Sequence, residues 1–278
     1  MIQVKIVEDS LAPNESRLTT FVLTYPRFIH SEFMTHRVFS RNASSSRATP
    51  VKKQIQMIID NPAIPLAFTK NKPGMQGGEV LDEQAHENAM LVWLNARDSA
   101  VNYAKILADL EVHKQYANRI LEPWAHITVV CTATDFNNFF ALRYHPAAQP
   151  EICELAKQMW ELYTNNTPKP LLDGEWHLPF CDEFDKKNDS IKMSIVKSVA
   201  RCARVSYLNH DGAISTYEQD LQLYDRLLGS FPIHASPSEH QAMAISDANV
   251  RSGNFYGWIQ YRKTLKNENV NKFTRSGE

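Results

Sequence analysis

The sequence predicts an α+β fold in which a mixed or antiparallel sheet packs against long helices. Two apolar, β-branched runs open the chain, at residues 2–7 and 18–25, and both have the composition of strands. Apolar residues recur at helical spacing over residues 82–110 and again after Pro146, which predicts two long helices. Strands and helices of this kind, without an internal repeat, give an α+β chain.

Shorter predicted elements lie between and after these runs. They are helices at residues 27–34, 51–59, 113–121, 136–142, 195–207 and 216–228, and strands at residues 127–132 and 255–261. Asp135 is a suitable N-cap for the helix that follows it. Residues 166–190 mix Pro, Asp, Lys and Trp without a period, so we predict a linker between one block at 1–165 and another at 191–278.

Composition excludes several classes of protein. The 278 residues carry 30 basic and 31 acidic side chains, so a strongly basic nucleic-acid-binding protein is not expected. The first residues lack the pattern of a signal peptide, and no apolar run is long enough to span a membrane. The four cysteines are scattered without a CxxC pair. We therefore expect a cytoplasmic protein with reduced, mostly buried thiols.

Residues 35–47, with the sequence THRVFSRNASSSR, are the most informative segment. They contain three arginines, one histidine and four serines. Guanidinium groups and hydroxyls are the donors that bind phosphate. A solvated polar loop without a ligand has the same composition, so the segment alone leaves both interpretations open.

Other charged residues also allow two readings. Arg143 follows two aromatic residues and a leucine, and it either extends to solvent or places its charge in an apolar site. Residues 234–240, HASPSEH, contain zinc-ligand types, but no HExxH motif is present. A capping box formed by Ser236 and Glu239 explains this segment without a metal. No dinucleotide, P-loop or nucleophile-elbow motif occurs, and no cysteine has the setting of a nucleophile.

Taken together, these segments resemble the flavin-dependent thymidylate synthases. Residues 36–47 match the family signature RHRxxSxNxxSxR, and residues 118–123, 139–143 and 148–151 are similar to its ARxxLP, FxxLR and AQxE motifs. Residues 203–207 and 234–240 resemble the ARxSY and HxSPxEH motifs, which precede the signature in the family but follow it here. The resemblance therefore implies a circular permutation with residues 166–190 as the new join, which nearby surface termini permit.

The resemblance implies a fold and an activity. The expected protein is a single catalytic domain with the family's fold that methylates dUMP to dTMP. Methylenetetrahydrofolate would supply the carbon, FAD the hydride, and NADPH the electrons that reduce the flavin. Relatives are homotetramers with active sites shared between subunits, so the same assembly is expected, without a membrane or nucleic-acid partner and without a metal.

Site residues follow from motif position. Arg143, facing the pyrimidine ring, and Ser45 would be catalytic. The residues expected to bind the nucleotide are Glu32, Ser45, Ser46, Arg47, Arg119 and Arg143. The residues expected to bind the flavin are His36, Arg37, Asn138, Leu142, Ser206, Ser236 and Glu239.

Several positions depart from the family pattern. Thr35 stands where the family has an arginine, Ala43 where it has an acidic residue, and Ala48 where it has an aromatic residue. Ala147 replaces a histidine, and the segment 132–134 replaces an Asn-Leu-Arg flavin contact. Glu32 stands where glutamine is common, and a carboxylate can accept a hydrogen bond from a cytosine amino group. Alternatives are therefore a dUMP or dCMP hydroxymethylase, a dCMP methylase, or a nucleotide-binding homologue without catalysis.

Overall fold

A five-stranded sheet forms the centre of the computed structural model, which describes residues 1–205 and 213–270 and confirms the α+β class. The described strands are β1 (Gln3–Leu11), β2 (Arg17–Pro26), β3 (Ser40–Ala43), β4 (His126–Ala133), β5 (Lys169–Pro170), β6 (Trp176–His177), β7 (Ala242–Ala244), β8 (Arg251–Ser252), β9 (Phe255–Tyr256) and β10 (Trp258–Gln260). The described α-helices are α1 (His30–Phe33), α2 (Val51–Asp60), α3 (Glu83–Asp109), α4 (Lys114–Ala117), α5 (Asn137–Arg143), α6 (Pro150–Asn165), α7 (Glu183–Asn188), α8 (Ile191–Arg204) and α9 (Tyr217–Leu228).

The main sheet has the strand order β3-β4-β2-β1-β5, and its three long strands pair antiparallel. Side chains alternate between the two faces of a strand. On one face Phe21, Leu23 and Val129 are buried against α5 and α6. The sequence predicted β1, β2 and β4, because each strand alternates or continues in apolar residues.

Helix α8 packs on the opposite face. Val22 and Val130 contact Phe180, Cys202 and Val205 there, so the sheet is covered by helices on both sides. A second sheet of order β10-β7-β6 adjoins its end, with Trp258 fully buried. The C-terminal block therefore shares a core with the N-terminal strands.

Residues 166–190, predicted as a linker between two blocks, form regular elements that pack on the main sheet. They contain β5, β6 and α7, and His177, Leu178 and Cys181 are buried. His177 Nε2 lies 2.8 Å from Thr20 Oγ1, and its Nδ1 lies 2.9 Å from Ser10 Oγ. The segment is thus bonded to the main sheet, and its short elements carry no periodicity that the sequence could show.

Three local predictions were wrong in their details. Residues 40–43 form edge strand β3, because the backbone of β4 pairs with this polar sequence. The predicted C-terminal strand breaks at Gly257, whose φ of 72° places it in the left-handed region. The capping box is absent, since Ser236–Glu239 is a 3-10 turn without a side-chain cap and Ser236 donates to Asn42 Oδ1 instead.

Two helix boundaries also moved. The predicted helix at 113–121 divides into α4 and a 3-10 turn, Arg119–Trp124, because Pro123 cannot continue an α-helix. Asp135 Oδ1 accepts the Asn137 backbone N–H at 2.8 Å, but the residue that precedes α5 is Phe136. Both differences shift an element without changing the fold.

Helix α3 presents much of its apolar surface to solvent. Only Val101 and Ala104 are buried along its 27 residues, whereas Leu91, Val92 and Tyr103 are exposed. No helix in the described part of the chain has the length and apolar character needed to cross a membrane. A large exposed apolar surface on a helix is typical of an interaction site.

Candidate functional site

The segment after β3 is held in place by hydrogen bonds from neighbouring elements. Ser44 N–H donates to the Thr128 carbonyl at 2.8 Å, and Ser44 Oγ accepts from Thr128 N–H at 3.1 Å. The buried amide of Asn118 donates to the carbonyls of Ser46 and Thr49 at 2.8 and 2.9 Å. This part of the polar segment is therefore an ordered loop rather than a free one.

A cavity of about 450 Å³ lies beside this loop. Its wall includes Ser45, Ser46, Arg27 and His126, together with Thr24 from β2. The volume falls within the range of about 300–1,000 Å³ that is typical of small-molecule sites. Two of the serines expected to bind a nucleotide therefore line a cavity of suitable size.

Glu122 links the loop to two arginines. Its Oε1 accepts from Ser46 Oγ at 2.9 Å and from Arg119 Nη1 at 2.9 Å, and it lies 3.1 Å from Arg27 Nη2. Arg47 is exposed, and no described residue forms an ion pair with it. The positive charges at this end of β3 come from three separate segments.

Arg143 lies at the other end of β3. Its Nε donates to His36 Nε2 at 3.0 Å, and its Nη2 donates to Thr35 Oγ1 at 3.3 Å. The guanidinium is thus anchored against the signature rather than extended freely into solvent. Its charge also acts on Glu32. Partial burial raises the pKa of Glu32 above its ordinary value, and the charge of Arg143 offsets only part of this increase.

His36 is buried among aromatic rings and cations. It packs against Phe39 and Phe139 with ring centroids 5.8 and 4.9 Å away. Burial, together with the charges of Arg143 and Arg41, lowers the pKa of His36 to about 4. The imidazole is therefore neutral at pH 7, and its Nε2 can accept the Arg143 hydrogen bond.

Acid is expected to destabilise the protein through its buried histidines. Burial lowers the pKa of His36 and His126 to about 4 and that of His240 to about 3. In the unfolded chain these histidines bind protons with their ordinary pKa of about 6.5. The free energy of unfolding should therefore be highest above that pH and fall as the pH is lowered toward 4.

Urea unfolding at several pH values measures this effect. His36→Gln should flatten the dependence, whereas the exposed His234→Gln serves as a control and should leave it unchanged. A free energy of unfolding that stays level or increases on acidification would contradict the assignment of neutral, buried histidines.

The predicted substrate residues form two groups within one chain. Ser45, Ser46, Arg47 and Arg119 lie at the cavity end of β3, whereas Glu32 and Arg143 lie near His36 at the start of that strand. Arg143 has no contact with the cavity beside Ser45 in this chain. Sequence spacing cannot separate the two groups, because only the folded chain places β3 between them.

The predicted flavin residues differ in their availability. Arg37, Asn138 and Leu142 are exposed, and no described side chain pairs with the Arg37 guanidinium. Glu239 forms an ion pair with Arg262, and Ser236 is bonded to Asn42. Ser206 lies outside the described residues.

These positions fit an anionic cofactor through Arg37. An exposed guanidinium can bind a phosphate, and Arg37 adjoins His36, whose ring packs on Phe139 of the helix that carries Asn138 and Leu142. Thr132 belongs to the segment that replaces the family's Asn-Leu-Arg flavin contact. Its hydroxyl is buried between Thr20 Oγ1 at 2.7 Å and His240 Nδ1 at 2.8 Å, so it is not exposed to a cofactor.

Arg27, Asn118 and Glu122 are site residues that the sequence reasoning missed. Arg27 follows β2 directly and Glu122 stands three residues after Arg119. The three-residue spacing of Arg119 and Glu122 was the available signal for their ion pair, since residues three apart on a helical turn are neighbours. The contacts of Asn118 and Glu122 with Ser46 join segments that are distant in sequence, and no local pattern predicts them.

The structure confirms the expectation that the thiols are mostly buried and form no disulfide bonds. Cys131, Cys181 and Cys202 are buried, Cys153 is half-buried, and all four are free. Burial raises the pKa of Cys181 to about 12 and that of Cys202 well above its usual value. Thiols that remain protonated do not act as nucleophiles at neutral pH.

Sequence comparison identifies the family. The sequence profile described as "Thymidylate synthase complementing protein" matches residues 8–169. The chain belongs to this family. The match covers more than half of the 278 residues and includes every motif of the N-terminal block, so the protein is a methyltransferase of the thymidylate synthase type.

Structural comparison supports the same fold. The chain is similar to a UMP/dUMP methylase, PolB from Streptomyces cacaoi, whose structure contains 5-Br UMP. The identity is 18%, the TM-score is 0.50, and the match covers 59% of this chain and 89% of PolB. PolB with 5-Br dUMP also matches, at 18% identity, a TM-score of 0.49, and coverage of 59% and 90%. No curated protein matches the chain in sequence.

Proposed function

We propose that the protein catalyses the flavin-dependent reductive methylation of dUMP to dTMP, with methylenetetrahydrofolate and NADPH as co-substrates. The observation that carries this proposal is the cavity beside Ser45 and Ser46, with Arg27 in its wall and Arg119 joined to Ser46 through Glu122. Family membership supplies the reaction class.

The nucleotide phosphate is bound by the loop after β3. Ser45 and Ser46 offer hydroxyl groups, while Arg47 and Arg119 offer positive charge. Hydrogen bonds from arginine to phosphate are charge-assisted and stronger than neutral ones. Asn118 donates its amide N–H groups to the Ser46 and Thr49 carbonyls, which occupies these two acceptors and leaves the loop donors for the phosphate.

Arg143 acts on the pyrimidine ring. The one-carbon unit of the folate bonds to C5, so negative charge must develop on the ring carbonyls as that carbon becomes nucleophilic. The neutral imidazole of His36 and the Thr35 hydroxyl fix the Arg143 guanidinium and leave further N–H groups for the ring. Ser45 completes the catalytic pair by positioning the nucleotide.

Arg37, Asn138 and Leu142 would hold the flavin together with His36, and Ser206, Ser236 and Glu239 would contribute from the C-terminal block. When bound, FAD supplies the hydride that reduces the transferred one-carbon unit to a methyl group. The thiols take no part, in agreement with their burial.

The active enzyme is a homotetramer in the cytoplasm. The exposed apolar residues of α3, which include Leu91 and Val92, give an interface between copies. Arg143 of one subunit can then meet the phosphate loop of another, which explains why the two groups lie apart in a single chain. Sedimentation velocity measures the assembly.

A circular permutation accounts for the motif order. Asn42 of the signature donates to the carbonyls of Cys202 and Ala203 at 2.9 and 3.4 Å and accepts from Ser236 at 3.2 Å. The two blocks therefore meet at β3 in one chain. The single catalytic domain then spans residues 1–278.

Glu32 supports a second candidate, in which dCMP is the nucleotide. Its carboxyl is half-buried and interacts electrostatically with Arg143, so it lies near the group that would face the base. A carboxylate that accepts from the cytosine amino group favours dCMP. A hydroxymethyl product would form if water, instead of hydride, added to the transferred methylene, so that the one-carbon unit is not reduced.

Flavin absorbance tests the main proposal. The purified protein should bind FAD and show a flavin spectrum that changes on titration with dUMP and less with dCMP. Arg47→Ala should weaken the dUMP response, and Arg97→Ala, which removes an arginine paired with Asp98 on α3, should not. Nucleotide binding without any flavin-dependent reduction would favour a non-catalytic homologue.

A further inference from the structure

Three donors converge on a single oxygen of Glu122. Arg27 Nη2 lies 3.1 Å from Oε1, Arg119 Nη1 lies 2.9 Å from it, and Ser46 Oγ donates to it at 2.9 Å. The donors come from the ends of β2 and β3 and from the 3-10 turn before β4. The fold therefore builds one position at which an anionic oxygen is bound from three sides.

This position adjoins the cavity, and on its Arg119 side, where the side chain is 53% exposed, it also opens to solvent. Arg27 and Ser46 both line the cavity of about 450 Å³, and the Glu122 and Arg27 side chains are only 23% and 20% exposed. The backbone N–H of Arg27 donates to the Ala125 carbonyl at 2.8 Å. A ligand in the cavity thus meets donors whose backbone is fixed.

The positive charge of the donors exceeds the negative charge of the one carboxylate that they bind. Arg27 and Arg119 carry two positive charges against the single negative charge of Glu122. A guanidinium has five N–H groups, and Glu122 is the acid that pairs with both arginines. Two arginines and a hydroxyl are the donor set that phosphate monoesters receive in proteins.

We infer that Glu122 is an internal competitor for the substrate phosphate, because its carboxylate occupies the oxygen position between Arg27, Arg119 and Ser46 that a phosphate monoester takes when it binds. Arg27 is then a phosphate-binding residue, and Glu122 sets how tightly phosphate is held. The inference rests on the proposed function for the identity of the phosphate, which is that of the nucleotide.

A purely structural role for Glu122 makes the opposite prediction. If the carboxylate only joined the 3-10 turn to the loop, its loss would disorder Ser46 and weaken the binding of phosphate. If it competes, its loss frees the donors and strengthens the binding, since the charge it leaves behind is positive. The two accounts therefore differ in sign.

Calorimetric titration of the full chain with dUMP, inorganic phosphate and 2′-deoxyuridine tests the inference. Glu122→Gln keeps the side-chain shape and should bind dUMP and inorganic phosphate about tenfold more tightly, an effect of one charge-assisted hydrogen bond. The affinity for deoxyuridine, which has no phosphate, should stay the same.

Asp60→Asn is the matched control. Asp60 lines the same cavity and loses the same charge, but its carboxylate accepts from Gln56 and contacts neither arginine. It should strengthen phosphate binding much less than Glu122→Gln. Equal gains in both variants would overturn the inference in favour of a general electrostatic effect, and so would unchanged or weaker binding in Glu122→Gln.

Arg27→Gln tests the same inference if Glu122→Gln does not fold. It should weaken dUMP and inorganic phosphate about tenfold and leave deoxyuridine unaffected. Unchanged phosphate affinity would overturn the assignment of Arg27. Tighter phosphate binding in Glu122→Gln without methylation of dUMP by the wild type would refute the proposed function alone, whereas methylation with phosphate affinities insensitive to both variants would refute this inference alone.

Discussion

Replacing Arg143 by alanine is expected to lower kcat for dUMP methylation by about 10²- to 10³-fold, the cost of removing one donor that stabilises a developing anion. Arg143 is held by His36 at 3.0 Å and by Thr35 at 3.3 Å, so its guanidinium is fixed before the substrate arrives. Because this donor acts on charge that develops during the reaction, KM should change far less than kcat.

Steady-state kinetics with two further variants separates geometry from charge. Arg143→Lys keeps the charge but loses the planar fork, and it should recover only part of the rate. Arg97→Ala removes an arginine from α3 that pairs with Asp98 and should retain full activity. A rise in KM at unchanged kcat in Arg143→Ala would contradict a role at the ring and indicate simple substrate binding.

Asp220→Asn is expected to lower the free energy of unfolding by about 3–5 kcal/mol, the usual cost of leaving a buried charge without its partner. Asp220 is fully buried on α9 and forms ion pairs with Arg201 and Arg204 of α8. Arg201 also pairs with Asp185 of α7 at 2.6 Å. Asp220 thus bridges two arginines of α8 from the neighbouring helix α9.

Urea denaturation measures this loss. Glu218→Gln, an exposed substitution in the first turn of the same helix, should change stability by less than about 0.5 kcal/mol. An Asp220→Asn variant as stable as Glu218→Gln would show that the α8–α9 ion pairs do not stabilise the fold. Because α8 supplies the Cys202 and Ala203 carbonyls to Asn42, the variant should also weaken the packing at β3.

Periodicity predicted the long elements well, because their burial is regular. β2 and β4 place alternate residues such as Phe21 and Val129 in the core, and the apolar spacing of α6 buries Leu155 and Met159. Each face of these elements packs against one layer of the fold, so its apolar spacing is regular. The fold class and the long helices follow from them.

Periodicity did not predict the elements that are stabilised by partners distant in sequence. β3 has a polar sequence and exists because β4 offers it a pairing edge. The strand Trp176–His177 has two residues, and buried hydrogen bonds from His177 to Thr20 and Ser10 hold it in place. No local pattern encodes a partner more than a hundred residues away.

The site shows the same division. Motif spacing drew attention to Ser45, Ser46 and Arg119, which lie at or beside the cavity. It could not predict that Glu122 joins Arg119 to Arg27, or that β3 separates this group from Arg143, since both depend on the tertiary fold. Spacing in the chain gives residue types, and only packing gives their neighbours.

Mass spectrometry of the nucleotide product tests the central claim most directly. The purified protein is incubated with dUMP, FAD, NADPH and methylenetetrahydrofolate labelled with ¹³C at its methylene carbon. The account predicts dTMP that carries one labelled methyl group and whose formation requires both FAD and NADPH. Unlabelled dUMP recovered intact from a protein that binds FAD and the nucleotide would contradict it.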